Sequence, residues 1–165
     1  MTTYVDHEPL AEDIVTEPLP NALDPNNFTP RLLALLSNAL VRQESSRMRQ
    51  QFGLGTNDWR VISALATRPG SSATEVSEFL SLNKALISGS VSGLVERHLI
   101  VLRDGPRGSR PMYLTRAGAK IHDEMLPLSL RGQDVILEGL TPDVVKGLNL
   151  LLQDMHKRLN AAAND

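Results

Sequence analysis

Apolar residues follow helical spacing from about residue 29, give way to short apolar runs near residue 100, and return to helical spacing after residue 115. Thr29-Pro30, a cap followed by Pro at the first helical position, predicts a helix running to about Phe52. Its apolar side is Leu32, Leu33, Leu36, Leu40 and Val41, and Gly53 and Gly55 end it. Thr56 is expected to cap a second helix, in which Trp59, Ile62, Ser63, Leu65 and Ala66 lead to a break at Pro69-Gly70. Ser72-Ala73-Thr74-Glu75 reads as a capping box for a third helix to Leu80. Asn83 then caps a fourth, ending near Arg97. Leu99–Arg103 and Met112–Leu114 read as two short strands around a Gly/Pro-rich loop, a β-hairpin with a long tip. Thr115 caps a long helix to about Leu137 with Pro127 as a kink point, and Thr141-Pro142-Asp143 opens a last helix to about Ala162. In that helix Val145, Leu148, Leu152, Met155 and Leu159 form a seam suited to packing on another helix.

Charge adds what periodicity does not show. The net charge of −2 conceals an acidic stretch over residues 1–27, with six acids, four prolines and no Lys or Arg, which reads as an arm. Residues 42–120 hold twelve Lys/Arg against six Asp/Glu, so the positive charge gathers on the helix–turn–helix and hairpin. The absence of cysteine excludes disulfides, thiolate zinc sites and cysteine redox sensing. No apolar run of membrane-spanning length occurs and no signal peptide is read, so a cytoplasmic protein without a membrane partner is expected.

Helix, tight turn, helix and hairpin with local positive charge is the order of a winged helix-turn-helix. At about 100° per residue, Ile87, Ser90, Val91 and Leu94 share the side of the fourth helix that would be buried. Ala85, Ser88, Gly89 and Ser92 share the opposite side, with Asn83 and Lys84 at its start. Short, hydrogen-bonding side chains suit a helix that approaches base edges closely. Gly89 and Gly93 each cost a helix interior roughly 1 kcal/mol relative to Ala, which points to close approach by a groove or a neighbouring helix. Arg107 and Arg110 on the hairpin tip suit a minor groove or its phosphates. Ser71 and Ser72 are candidate phosphate donors, with ordinary capping as the alternative role.

Three stretches carry a family resemblance: Phe52-Gly-Leu-Gly-Thr-Asn-Asp-Trp-Arg-Val-Ile-Ser-Ala-Leu65, the segment from Leu82 to Ile100, and Tyr113-Leu-Thr-Arg-Ala-Gly118. They resemble the multiple-antibiotic-resistance regulator (MarR) family over about residues 29–160. The resemblance implies a mainly α protein with a small β-hairpin, a winged helix-turn-helix on a helical dimerisation domain. The expected parts are an acidic Pro-containing arm (1–27), a dimerisation helix (28–55), a DNA-binding domain (56–114) and C-terminal dimerisation helices (115–165). It further implies a homodimer on a palindromic double-stranded operator, a recognition helix at 83–97, a wing at 103–113, and release by a small aromatic ligand. Two departures stand out: Gly89 lies where the family often has Arg, and Pro106-Arg-Gly-Ser-Arg110 lacks the Asp of the family's usual wing segment.

An effector carboxylate or thioester would be expected between the dimerisation helices and the reader. Arg42, Arg49, Trp59, Arg60 and His122 are the candidate contacts, because an Arg beside an aromatic ring cradles an aromatic acid. For Trp59 the competing role is core, and for His122 a solvated helix position. No cofactor, metal or enzymatic activity is expected: phosphate-binding glycine loops and His-x-x-x-His pairs are absent, and the four histidines are scattered. The competing function is a winged-helix protein-interaction module, which the acidic arm favours slightly. A neutral or negative reader face would support it.

Overall fold

The computed structural model describes residues 14–163. The chain divides into two compact units, residues 1–38 and 39–165. Much of the predicted arm, residues 1–13, lies outside the described residues.

In the first unit, Asp24 organises a turn: its carboxylate accepts from the Asn26 N–H at 2.9 Å and the Asn27 amide at 2.6 Å. Arg31 donates to the Pro25 carbonyl at 2.9 Å. Helix α1 (Thr29–Phe52) follows. The Phe28 carbonyl accepts from Leu32 N–H, so the cap falls at Phe28 and not at Thr29 as expected.

The second unit holds the rest of α1, then α2 (Thr56–Thr67), α3 (Ala73–Leu80), α4 (Lys84–Glu96), β1 (Ile100–Leu102), β2 (Met112–Leu114), α5 (Arg116–Leu137) and α6 (Pro142–Ala162). The strands pair antiparallel, with Val101 opposite Tyr113. Gly70 N–H donates to Met112 O at 2.8 Å and Met112 N–H to Ser71 O at 3.1 Å, so the α2–α3 loop is bonded to the free edge of β2. The expected capping box is present, as are caps at Asn83, Thr115 and Thr141. The expected Thr56 cap is corrected. Gly55 is the cap of α2, its N–H bonded to the Asp58 carboxylate at 2.8 Å, and Thr56 becomes the first helical residue. The Thr56 hydroxyl is buried there without a hydrogen-bond partner.

One hydrophobic core joins these elements. Met48, Leu54, Ile62, Leu65, Val76, Ile87, Leu94, Ile100, Met112 and Met125 are all but sealed from solvent. They come from α1, the α1–α2 connection, α2, α3, α4, the hairpin and α5, so the core fixes hairpin and α4 to one base. Gly118 allows the closest approach: a Cβ there would collide with the Leu99 carbonyl just before β1. By contrast α6 has no buried residue, and Leu148, Leu151, Leu152 and Leu159 lie exposed along it.

Candidate nucleic-acid interface

The two faces predicted for α4 are the two faces observed. Ile87, Ser90, Val91 and Leu94 are buried. Asn83, Lys84, Ala85, Ser88, Gly89 and Ser92 are exposed. Local bonds already engage part of this surface. Asn83 Oδ1 accepts from Ala85 N–H at 2.7 Å, and the Ser92 hydroxyl donates to Ser88 O at 3.0 Å. A Cβ built on Gly89 or Gly93 meets no atom within 4 Å. A neighbouring helix of the described chain therefore does not explain either glycine. The same face carries two residues that the sequence reading passed over. Glu96 is exposed one turn beyond Ser92, and Leu86 is 50% exposed on the flank. The spacing 85, 89, 92, 96 contained the signal for Glu96.

The hairpin places its arginines by backbone geometry. Pro106–Gly108 forms a single 3₁₀ turn, closed by Ser109 N–H to Pro106 O at 3.1 Å. Arg107 sits at φ 56° and Gly108 at φ 75°, a left-handed pair that costs Arg107 conformational energy. A Cβ at Gly105 would press on the Pro111 ring at 2.9 Å and the Ser109 carbonyl at 3.1 Å, so the tight turn favours glycine there. The chain thus turns tightly and leaves Arg107 and Arg110 exposed. Neither guanidinium forms an ion pair among the described residues, and the same holds for Lys84. Unpaired exposed cations on the wing and at the start of α4 make a surface open to a polyanion.

At the start of α3 the hydroxyls have internal partners. Ser71 donates to Arg68 O at 3.0 Å. Ser72 Oγ donates to Glu75 Oε2 at 2.7 Å and accepts from Glu75 N–H at 3.3 Å. The Ser72 N–H, with its hydroxyl, holds the Glu75 carboxyl below the usual glutamate range. Ser72, Glu75, Pro106 and Ser109 line a cleft of about 400 Å³ between α3 and the hairpin tip. Both serines thus lie beside the wing, Ser72 as the cap of α3 and Ser71 closing the turn after α2.

Of the five proposed effector contacts, the structure brings two together. The Trp59 and His122 rings stack with centroids 5.4 Å apart and planes 24° from parallel. Trp59 is 5% exposed, a core residue, and its indole N–H donates to Ser129 Oγ at 3.2 Å. Ser129 in turn donates to Glu44 Oε1 at 3.0 Å, linking α2 to α5 and α1. Arg42 and Arg49 are exposed and Arg60 is half-buried. Among the described residues the guanidinium found over a ring belongs to Arg68, 4.1 Å from the Phe79 centroid. A polar cavity of about 190 Å³ lies on the Glu44 side of the relay, lined by Gln43, Glu44, Arg47, Leu128, Arg131 and Gly132 among others. Arg131 and Ser129 were missed because α1 and α5 meet only in the folded chain. A second cavity, of about 600 Å³, separates the end of α5 from α6, with Leu137, Leu140, Val145 and Leu150 in its walls. No group of metal-ligating side chains occurs among the described residues, and no described helix is long and apolar enough to cross a membrane.

Comparison with known proteins agrees with this arrangement. The profile of the MarR family matches residues 52–111, which span α2 to the wing. A MarR/EmrR family transcriptional regulator from Acinetobacter sp. ADP1 superposes with a TM-score of 0.78 at 23% identity, covering 84% of this chain and 99% of that one. A MarR family transcriptional regulator from Listeria monocytogenes, solved with a 26mer DNA, gives a TM-score of 0.76 at 13% identity over 80% of this chain and 89% of its own. Bordetella bronchiseptica BpsR, whose DNA binding is regulated by 6-hydroxynicotinic acid, gives 0.69 at 20% identity over 82% and 99%. No curated protein sequence matches the chain significantly.

Proposed function

With residues 52–111 matching the MarR family profile and the chain carrying the fold of that family's transcriptional regulators, we propose that this protein is a ligand-responsive, DNA-binding transcriptional repressor. The observation that carries the reading is the pairing of an exposed, small, hydrogen-bonding face on α4 with unpaired Arg107 and Arg110 on the wing. Helix 83–97 enters a major groove and the tip of 103–113 lies on the adjacent minor groove or its phosphates. On the α4 face Lys84 is balanced by Glu96, and the wing adds Arg107 and Arg110, so it is the combined surface of helix and wing whose positive charge favours nucleic acid over an interaction module.

The protein works as a homodimer on a palindrome, in the cytoplasm. Exposed leucines of α6, 37% to 71% exposed, and of the first part of α1 support dimerisation, since leaving such rows in water forgoes about 25 cal/mol per Å². Release comes from a small aromatic carboxylate or thioester. The arginines of the 190 Å³ cavity, Arg47 and Arg131, support an anionic effector there, and Trp59 reports on it through the Ser129–Glu44 relay. Arg42, Arg49, Arg60 and His122 are the further proposed contacts.

Anisotropy titration against the DNA upstream of the protein's own gene tests the reading. Nanomolar, salt-sensitive binding to a duplex with half-sites one turn apart is the expected result. Affinity that is weak and indifferent to sequence would reject it. A panel of aromatic acids should then shift the emission of Trp59, the sole tryptophan, and lower the affinity together.

A further inference from the structure

The turn between α3 and α4 is closed by three local bonds. Ser81 N–H donates to Glu78 O at 3.1 Å, Leu82 N–H to Ser77 O at 3.0 Å, and the Ser77 hydroxyl to Leu82 O at 2.6 Å. Within it Ser81 takes the left-handed conformation, φ 51° and ψ 40°, as the C-cap of α3. Glycine adopts this geometry without steric cost, and a serine does not. The serine hydroxyl has a partner that a glycine would lack. It lies 3.3 Å from Nε2 of His156, 75 residues away on α6. The Asn160 amide, one turn further along α6, lies 3.3 Å from the same ring nitrogen. Nε2 offers one lone pair or one N–H according to the ring tautomer, so it serves one of the two groups at a time and can bond the Ser81 hydroxyl in either form. The two ends of this contact differ in burial. The turn is fixed by the core beneath Ser77 and Ile87, whereas α6 has no buried residue.

We infer that Ser81 and His156 are positioning residues, through which α6 holds the helix–turn–helix at the angle needed for reading DNA. The inference rests on the DNA-binding reading above. Asn83, the cap of α4, lies two residues beyond Ser81, so a displacement of the turn moves the start of the reading helix directly. The proposed dimer gives α6 a fixed place, and the Ser81–His156 bond carries that place to the reader. Neither residue faces the groove itself. Ser81 precedes α4 and His156 is on another helix.

The test uses the full-length protein and duplexes that the wild type enriches from a random DNA pool. His156→Leu and Ser81→Gly should each lower affinity by about threefold to tenfold, with the melting temperature unchanged or, for the glycine, raised. The double variant should lose no more than either single one, because one bond is removed in all three. His156→Gln, which keeps a hydrogen-bonding group at similar reach, should recover most of the affinity. Hydrogen exchange should show faster exchange at the Ser81 and Leu82 amides in His156→Leu. Unchanged affinity with unchanged turn exchange, or additive losses in the double variant, would overturn the inference while leaving DNA binding intact. A wild type that enriches no duplex would instead overturn the DNA-binding reading, and the positioning role with it.

Discussion

The guanidinium of Arg97 donates to the Phe52 carbonyl at 2.8 Å, tying the end of α4 to the last turn of α1. Its second nitrogen donates to Gly53 O at 3.0 Å. Terminal carbonyls of a helix lack internal partners and carry the negative end of its dipole, so a cation with several donors is well matched to them. Arg97→Ala should lower stability by about 1 kcal/mol, the net worth of partly solvated hydrogen bonds. Arg97→Lys should recover only part, since an ammonium cannot span both carbonyls as the planar fork does. Urea unfolding of the three proteins measures both, and equal midpoints would refute the bridge.

Thr56 offers the opposite case, a buried hydroxyl with no partner. Thr56→Val keeps the shape and removes the desolvated group, so it should stabilise the protein by about 1 kcal/mol. A lower denaturation midpoint would mean that the hydroxyl has a partner after all.

Two glycines should respond in opposite ways to the same added methyl. At Gly118 a Cβ collides with backbone, and Gly118→Ala should cost about 2 kcal/mol or more. At Gly89 the Cβ meets nothing, so Gly89→Ala should raise stability by roughly 0.5–1 kcal/mol through helix propensity. If Gly89 is kept for close approach to the groove, the same variant binds DNA more weakly. Increased stability with unchanged affinity would remove that explanation of the glycine.

Arg107→Ala and Arg110→Ala should each weaken DNA binding. A residue that contacts phosphate lowers the slope of log affinity against log salt by about one, whereas a base-reading residue changes preference at one site position. Salt titrations on matched and substituted duplexes assign each arginine to one role.

The depressed Glu75 carboxyl sets an acid-side prediction. Its folded pKa lies below its unfolded one, because Ser72 N–H and hydroxyl favour the charged form. The capping box therefore contributes stability above the ordinary glutamate range, and that contribution is lost as pH falls through the folded value. Glu75→Gln should be less stable than wild type at pH 7 and converge with it once the pH has fallen below the folded value of the Glu75 carboxyl. Melting curves that stay parallel across this range would contradict the assignment.

Much of this architecture is written in local patterns. A capping box needs Ser72 and Glu75 three apart, the caps of α4, α5 and α6 need one polar side chain each, and the faces of α4 follow from a 100° step, so neighbouring residues suffice to read them. Even locally, competition between similar donors is decided in the fold. Asp58 reaches the Gly55 N–H, and the helix therefore begins one residue away from where Thr56 alone would place its cap.

The links that join elements were not legible. Arg97 finds α1 across 44 and 45 residues, Trp59 finds Ser129 across 70, and Ser81 finds His156 across 75. Periodicity says which face of a helix is apolar, but the partner of that face depends on how all the faces pack at once. That is why the aromatic pair Trp59–His122 formed without an Arg over the indole, and why Arg131 reached a cavity with Arg47 that no spacing in the chain announces. The sequence by itself determined the helices, the hairpin and the chemistry of the exposed face of α4, because each is fixed by bonds and sterics within a few residues. The tertiary structure alone decided which polar side chains are satisfied, which cavities form between helices, and what α4 and its neighbours are tied to, because those depend on contacts whose geometry exists only after the core has closed.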